Sequence, residues 1–130
     1  MSRKYPYEGS ERAVPTILII DDEPSITDVV AEVLTDEGYE TLTACGGRDA
    51  LNVLAERHPD LLLLDLFMPE MSGLDLLAKL QADERLAKIP VVMMTAGAMA
   101  NLSIGHAGPT QVLAKPFDVD HLLATVRTLV

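Results

Sequence analysis

The chain has 130 residues, enough for one domain with a buried core, and 48% of them are hydrophobic, as in ordinary globular proteins. Its 20 acidic and 10 basic residues give a formal net charge of -10, and the basic residues are scattered, so direct nucleic-acid binding is not expected. The chain has a single cysteine, no apolar run of ~18 residues and no secretory signal, so we expect a cytoplasmic protein without membrane contact.

The chain begins with a polar segment and then a first strand. Residues 1–15 carry charges of both signs, which predicts a flexible N-terminal extension before one domain over residues 16–130. The run Thr16–Ile20 predicts a buried strand, because it is mostly β-branched and is bounded by polar groups. Apolar residues at helical spacing follow it, with Pro24 near the start of this helix and Gly38 past its end.

Four more apolar runs alternate with helical segments along the rest of the chain. The later predicted strands are Tyr39–Ala44, Leu61–Leu64, Val91–Met94 and Val112–Ala114. Apolar spacing predicts a helix around Ala50–Leu54, one after Ser72, whose hydroxyl can cap it, and a last one over Leu122–Val130. Strands that alternate with helices are typical of βαβ units. We therefore predict an α/β fold, a doubly wound five-stranded parallel sheet with strand order 2-1-3-4-5.

The segment Gly97–Thr110 departs from this pattern. It contains three glycines and Pro109. Each glycine inside a helix costs ~1 kcal/mol relative to alanine. The sequence therefore predicts a short or irregular fourth helix in this segment.

Polar residues follow four of the predicted strands at the point where each strand ends. In chain order they are Asp21, Asp22, Asp65, Thr95 and Lys115, and Pro116 follows Lys115. Because the carboxyl ends of parallel strands line one crevice of an open sheet, we expect these residues to converge there. Three carboxylates, one hydroxyl and one ammonium suit a divalent cation and a phosphoryl group, and do not suit an apolar ligand.

Each of these side chains has a chemical role in such a site. Adjacent Asp21 and Asp22 repel each other unless a cation relieves them, and their hard oxygen atoms suit Mg²⁺. Asp65 is a further candidate ligand and a candidate nucleophile that forms an aspartyl phosphate. Lys115 would offset charge on the phosphoryl oxygens, and Thr95 would donate a hydrogen bond to one of them. Taken singly, the residues also fit a helix cap and ordinary strand ends, but their joint order favours the site.

Four stretches of the chain read ILIIDDEPSI, LLLLDLFMPEMSGLDLL, VVMMTAGA and VLAKPF. Together they resemble the receiver domain of two-component response regulators, and the resemblance extends over Thr16–Val130. It implies a flavodoxin-like (βα)5 fold and a site that uses Mg²⁺. It makes Asp65 the phosphoacceptor, and Asp21 and Asp22 the acidic metal-binding pair.

The same resemblance assigns the other site residues. The main-chain carbonyl of Phe67 is a further metal ligand, Thr95 is the switch hydroxyl and Lys115 is the phosphate-binding lysine. The bond between Lys115 and Pro116 is expected to be cis. Phe67 also places a large apolar side chain beside the site, and we hypothesise that it hinders water attack and prolongs the phosphorylated state.

Two features depart from the family pattern. The family usually has an aromatic residue three positions before the lysine, and this chain has Val112 there. The usual coupling between threonine and aromatic residue therefore cannot operate in its ordinary form. The shortened fourth-helix segment is the second departure, and both affect a surface on which the family often dimerises or docks on partners.

The resemblance implies a stand-alone or excised receiver domain. Its donor would be a histidine kinase or a histidine phosphotransfer protein. It would be a signalling phosphoacceptor and not an enzyme, although it assists its own phosphorylation and dephosphorylation. The expected output is altered binding to a downstream protein, or relay of the phosphoryl group, by a monomer or weak dimer.

Three other interpretations are open. Val112 and the segment Gly97–Thr110 favour a receiver-like interaction module that is not phosphorylated, although such a module has no need of Asp65, Thr95 and Lys115. A Mg²⁺-dependent phosphatase with an aspartate nucleophile usually has two acids two positions apart, a pair that is absent at Asp65. A flavin-binding protein of the same topology needs a phosphate-cradling loop after the first strand, which this sequence lacks.

Overall fold

The structure, a computed structural model, describes residues 14–96 and 109–130. Its strands are β1 (Thr16–Ile20), β2 (Glu40–Ala44), β3 (Leu61–Asp65), β4 (Val91–Ala96) and β5 (Gln111–Lys115). Its helices are α1 (Pro24–Asp36), α2 (Gly47–Leu54), α3 (Gly73–Gln81) and α4 (Val119–Leu129). Most of the predicted extension over residues 1–15 and most of the predicted short fourth helix lie outside the described residues.

The five strands form one parallel sheet in the order β2-β1-β3-β4-β5. This confirms the predicted doubly wound topology and strand order. Three strands, β3, β4 and β5, run further than the apolar runs predicted, because pairing continues past the end of each run. Asp65 pairs with Met94, and Ala96 pairs with Lys115. The site residues at these ends are therefore held by the sheet itself.

The core lies on both faces of the sheet. Side chains that alternate along β3 divide between two buried clusters, so that Leu62 and Leu64 face one side and Leu61 and Leu63 the other. Helices α2 and α3 cover the first face, and α1 and α4 cover the second. Two residues of the predicted apolar helix faces are exposed: Val29 on α1, and Val130, which follows the end of α4 at Leu129.

The helix ends follow the local signals of the sequence. Pro24 is the first residue of α1, and Gly38 adopts a φ of 97° just after that helix. Ser72 caps α3 in a capping box with Asp75, as the Ser72 hydroxyl predicted. None of the described helices has the length and apolar character that a membrane crossing requires.

Gly73 allows α3 to start directly against β3. A Cβ atom at this position would lie 2.5 Å from the carbonyl oxygen of Asp65 and 2.9 Å from the Cα of Leu66. The Gly73 N–H donates to the Leu66 carbonyl at 2.7 Å. A larger residue here would push α3 away from the strand end that carries Asp65.

Candidate metal centre at the carboxyl edge of the sheet

The predicted polar residues lie together at the carboxyl edge of the sheet. Asp21 follows β1, Asp65 ends β3, Thr95 is the penultimate residue of β4 and Lys115 ends β5. Asp21, Asp65 and Thr95 are buried. Neighbouring parallel strands thus bring residues from four parts of the chain to one crevice.

The three carboxylates form one acidic cluster. Each of Asp21, Asp22 and Asp65 has an oxygen atom within 4.8 Å of an oxygen atom of the other two. Asp22 is half-buried, whereas the other two are buried. Hard oxygen donors at this spacing match the ligand set that Mg²⁺ prefers. The residues present therefore fit a divalent cation.

Lys115 contacts two members of the cluster. Its Nζ atom donates to Oδ2 of Asp21 at 3.1 Å and to Oδ1 of Asp65 at 3.2 Å. The Lys115 side chain is 21% exposed, so these contacts are only partly screened by solvent. One ammonium against three carboxylates leaves the crevice negatively charged, which favours a cation there.

The pKa of Asp65 reflects its burial first and this uncompensated charge second. Burial raises the pKa of its carboxyl above the ordinary value of 3.8, and the charge of Asp21 raises it further. The hydrogen bond from Lys115 lowers that pKa but does not cancel the rise. Burial lowers the pKa of Lys115, but its hydrogen bonds to Asp21 and Asp65 and the charges of these two carboxylates together outweigh burial, so that the pKa lies above 10.5. Further positive charge beside Asp65 would therefore favour its ionised form.

The hydroxyl of Thr95 has no hydrogen-bond partner among the described residues. Its Oγ1 atom is buried, and the residue is 1% exposed. A buried hydroxyl without a partner is costly, and such an atom usually has a ligand or another role. An acceptor group that came within reach of Oγ1 would satisfy this hydroxyl.

Helix capping does not account for the two adjacent aspartates. The N-cap of α1 is Glu23, and its side chain makes no capping bond. Asp21 accepts a hydrogen bond from the Glu23 N–H at 3.0 Å through Oδ1, while its Oδ2 faces Lys115. Asp21 is thus held from two sides within the cluster.

The remaining predicted residues flank the site. Phe67, two residues after Asp65, is 61% exposed. The bond between Lys115 and Pro116 is cis, as the resemblance implied. Val112 is half-buried and packs on the cluster that α2 and α3 cover.

Two contacts near the site were not predicted from the sequence. Gly73 abuts Asp65, and Met71 packs tightly against Gly47 at the start of α2. Both glycines can be read from the sequence. Neither hydrophobic periodicity nor motif spacing indicates which distant atoms pack against a given glycine.

Comparison with known proteins places this geometry in a family. The family model of the response regulator receiver domain matches residues 17–127. The DNA-binding dual master transcriptional regulator RpaA of Synechocystis sp. is 42% identical over 118 residues, which cover 89% of this chain and 49% of RpaA. The polar-differentiation response regulator DivK of Brucella ovis is 33% identical over 115 residues, which cover 87% of this chain and 94% of DivK.

Solved structures show the same architecture. The chemotaxis response regulator CheY4 of Vibrio cholerae has a TM-score of 0.84 and 30% identity, and the match covers 91% of this chain and 100% of CheY4. The receiver domain of NtrX from Brucella abortus has a TM-score of 0.79 and 32% identity, with 87% and 96% of the two chains covered. The chain spans about half the length, or less, of the first curated relatives that it matches.

Proposed function

The chain belongs to the response regulator receiver domain family, and from this premise we propose that Asp65 accepts a phosphoryl group in a Mg²⁺-dependent reaction. One observation carries the proposal. The Asp65 carboxylate belongs to an acidic cluster whose ligand oxygens lie within 4.8 Å of one another. The same carboxylate accepts a hydrogen bond from the Lys115 ammonium at 3.2 Å. A buried nucleophile beside both a cation site and a fixed positive charge is the arrangement that phosphoryl transfer requires.

Asp65 is the nucleophile in this reaction. One carboxylate oxygen attacks the phosphorus of a phosphohistidine, and an O–P bond forms as the N–P bond breaks. The electron pair of the broken bond leaves on the imidazole nitrogen, which takes up a proton. The product is an acyl phosphate on Asp65.

The carboxylates of Asp21, Asp22 and Asp65 and the main-chain carbonyl of Phe67 would hold Mg²⁺. When bound, Mg²⁺ supplies positive charge that offsets the phosphoryl oxygens beside the carboxylates. Before the phosphoryl group arrives, the Glu23 N–H and the Lys115 ammonium both bond to the Asp21 carboxylate and hold it in this set.

Lys115 and Thr95 act on the phosphoryl group itself. The Lys115 ammonium, at the end of β5, would move from its carboxylate contacts to a phosphoryl oxygen. The Thr95 hydroxyl, which has no partner among the described residues, would donate to another oxygen. When the Thr95 hydroxyl forms this new hydrogen bond, the effect of phosphorylation would reach β4.

Signalling is the proposed role of this chemistry. Receiver domains interact with histidine kinases or histidine phosphotransfer proteins, and we propose one of these as the donor. The phosphorylated chain would bind a downstream protein or pass the phosphoryl group on. The alternative, an interaction module that is never phosphorylated, leaves the buried Asp65, the Lys115 contacts and the unpartnered Thr95 hydroxyl without a role.

The test is the intact mass of the protein after incubation with acetyl phosphate and Mg²⁺. We expect one added phosphoryl group in the wild type, and none in Asp65→Ala or in a metal-free sample. Asp36→Ala is the matched control, because Asp36 is an exposed carboxylate at the end of α1, outside the cluster. Loss of the adduct in Asp36→Ala, or its persistence in Asp65→Ala, would contradict the assignment.

A further inference from the structure

The loop between β3 and α3, residues 66–72, contains a strained turn. Glu70 adopts a φ of 70°, the one positive φ among the described residues other than glycine. The Met71 N–H donates to the Pro69 carbonyl at 2.7 Å, which closes a three-residue γ-turn around Glu70. Turns of this kind with a positive φ are rare and strained, and they persist only where the surrounding structure holds them.

Met71 is the side chain of this turn that reaches another element. It is half-buried and packs on the cluster beneath α2 and α3. A Cβ atom at Gly47 would lie 2.5 Å from Sδ of Met71 and 3.0 Å from its Cβ and Cγ. The contact is possible only because residue 47 has no side chain, so Met71 fits against the backbone at the start of α2.

The two ends of the loop are also held. The Leu66 N–H donates to the Met94 carbonyl at 2.9 Å, and the Gly73 N–H donates to the Leu66 carbonyl at 2.7 Å. Ser72 and Asp75 then begin α3 with a capping box. Between these ends, the buried Met68 and the contact of Met71 with Gly47 both hold the loop, whereas Phe67 is exposed.

We propose that Met71 is a positioning residue of the metal site: packed against Gly47, it holds the loop after Asp65 where the Phe67 carbonyl can join the three carboxylates. This inference rests on the proposed function, because it presumes that the cluster binds a divalent cation. Mutation of a residue that orients a metal ligand commonly lowers metal affinity by about 10- to 100-fold.

The experiment measures Mn²⁺ binding to the full chain without a phosphodonor, by the electron paramagnetic resonance signal of free Mn²⁺. We expect Met71→Ala to weaken binding about tenfold. Met71→Leu conserves volume and should remain within about twofold of the wild type. Gly47→Ala should weaken binding too, because the added methyl group displaces Met71.

A double variant distinguishes a specific contact between Gly47 and Met71 from a general loss of stability. The double variant Gly47→Ala/Met71→Ala should lose much less affinity than the two single losses added together, because alanine at position 71 lacks the Sδ and Cγ atoms that clash and leaves only its Cβ near the added methyl group. Val53→Ala is the matched control, since Val53 is half-buried against the same cluster, about 9 Å further along α2. It should lower the unfolding midpoint and leave Mn²⁺ affinity unchanged.

Folded Met71→Ala that binds Mn²⁺ as tightly as the wild type would overturn the inference, and so would an equal loss of affinity in Val53→Ala. If Met71→Ala does not fold, Gly47→Ala decides in the same way. If only the role of Met71 is wrong, the wild type still binds Mn²⁺ and is still phosphorylated on Asp65. Failure of the proposed function appears in the wild type itself, as absent Mn²⁺ binding and an absent phosphoryl adduct.

Discussion

The Lys115 ammonium lies 3.2 Å from Oδ1 of Asp65, although 50 positions separate the two residues in the chain. The contact joins the ends of β3 and β5, with β4 between them in the sheet. A second bond, to Asp21 at 3.1 Å, makes Lys115 the bridge between two buried carboxylates. Removal of this bridge should affect stability as well as phosphorylation.

Lys115→Met should lower the free energy of unfolding of the metal-free protein by about 2 kcal/mol, because two buried carboxylates lose their counter-charge. Mg²⁺ should restore part of this loss by binding to the same carboxylates. Urea unfolding in EDTA and in MgCl₂ measures both effects. Arg127→Met is the control: its ion pair with Glu37 is 58% and 40% exposed, and its loss should cost less than about 1 kcal/mol. Equal losses in the two variants would contradict the bridging role.

Asp65→Asn should stabilise the metal-free protein at neutral pH. Burial and the charge of Asp21 raise the pKa of Asp65 in the folded state above 3.8. The folded state therefore binds more protons than the unfolded state as pH rises from 3.8, and stability falls until the pH exceeds the raised pKa. Asparagine lacks this titration. The stability difference between variant and wild type should thus be small below pH 3.8, grow as pH rises and then level off.

Urea unfolding in EDTA at a series of pH values tests this. Mg²⁺ should reduce the advantage of Asp65→Asn, because the wild type gains a carboxylate ligand that the variant lacks. An advantage that is independent of pH would show that the charge of Asp65 is not its cause.

Thr95→Val should raise the free energy of unfolding of the unphosphorylated protein by about 1 kcal/mol, because it replaces a buried hydroxyl that has no partner among the described residues. It should also abolish the extra stability that phosphorylation provides through this hydroxyl. Thr95→Ser keeps the hydroxyl and is the control. Thermal unfolding with and without acetyl phosphate and Mg²⁺ compares them, and a destabilised Thr95→Val would mean that the hydroxyl already has a partner.

Phe67→Asn should speed the loss of the phosphoryl group from Asp65. The exposed aromatic ring lies two residues after the proposed phosphoacceptor Asp65, where it would hinder an approaching water molecule, whereas a polar amide would admit one. The half-life of the phosphorylated protein, followed by intact mass after removal of the donor, measures the effect. Phe67→Leu, which keeps an apolar side chain, should stay close to the wild type. An unchanged half-life in Phe67→Asn would refute the shielding hypothesis.

Much of the fold was predictable because its signals are local. A strand buried on both faces needs a continuous apolar run, as at Leu61–Leu64, where all four side chains are fully buried. Pro24 and Ser72 mark helix starts through backbone geometry and capping, which depend on adjacent residues. The convergence of Asp21, Asp65 and Lys115 was predictable too, since parallel strands place their carboxyl ends at one edge.

Contacts between segments distant in the chain were not predictable in this way. The apolar stretch after Asp65 does not indicate that Leu66 and Met68 turn inward while Phe67 stays exposed. The strained backbone at Glu70 has no signal either, because the residue that usually adopts a positive φ is glycine. Both features depend on how residues 66–72 are held between β3 and α3.

The sequence by itself determined the strand order, the starts of α1 and α3 and the set of charged groups at the edge of the sheet. Hydrophobic periodicity and capping act over a few residues, so that a single chain displays them directly. Only the tertiary structure decided which of those groups touch, which hydroxyl stays unpartnered and which glycine admits Met71. These outcomes depend on differences of a few tenths of an ångström in the distances between packed elements. The order of residues along the chain does not give those distances.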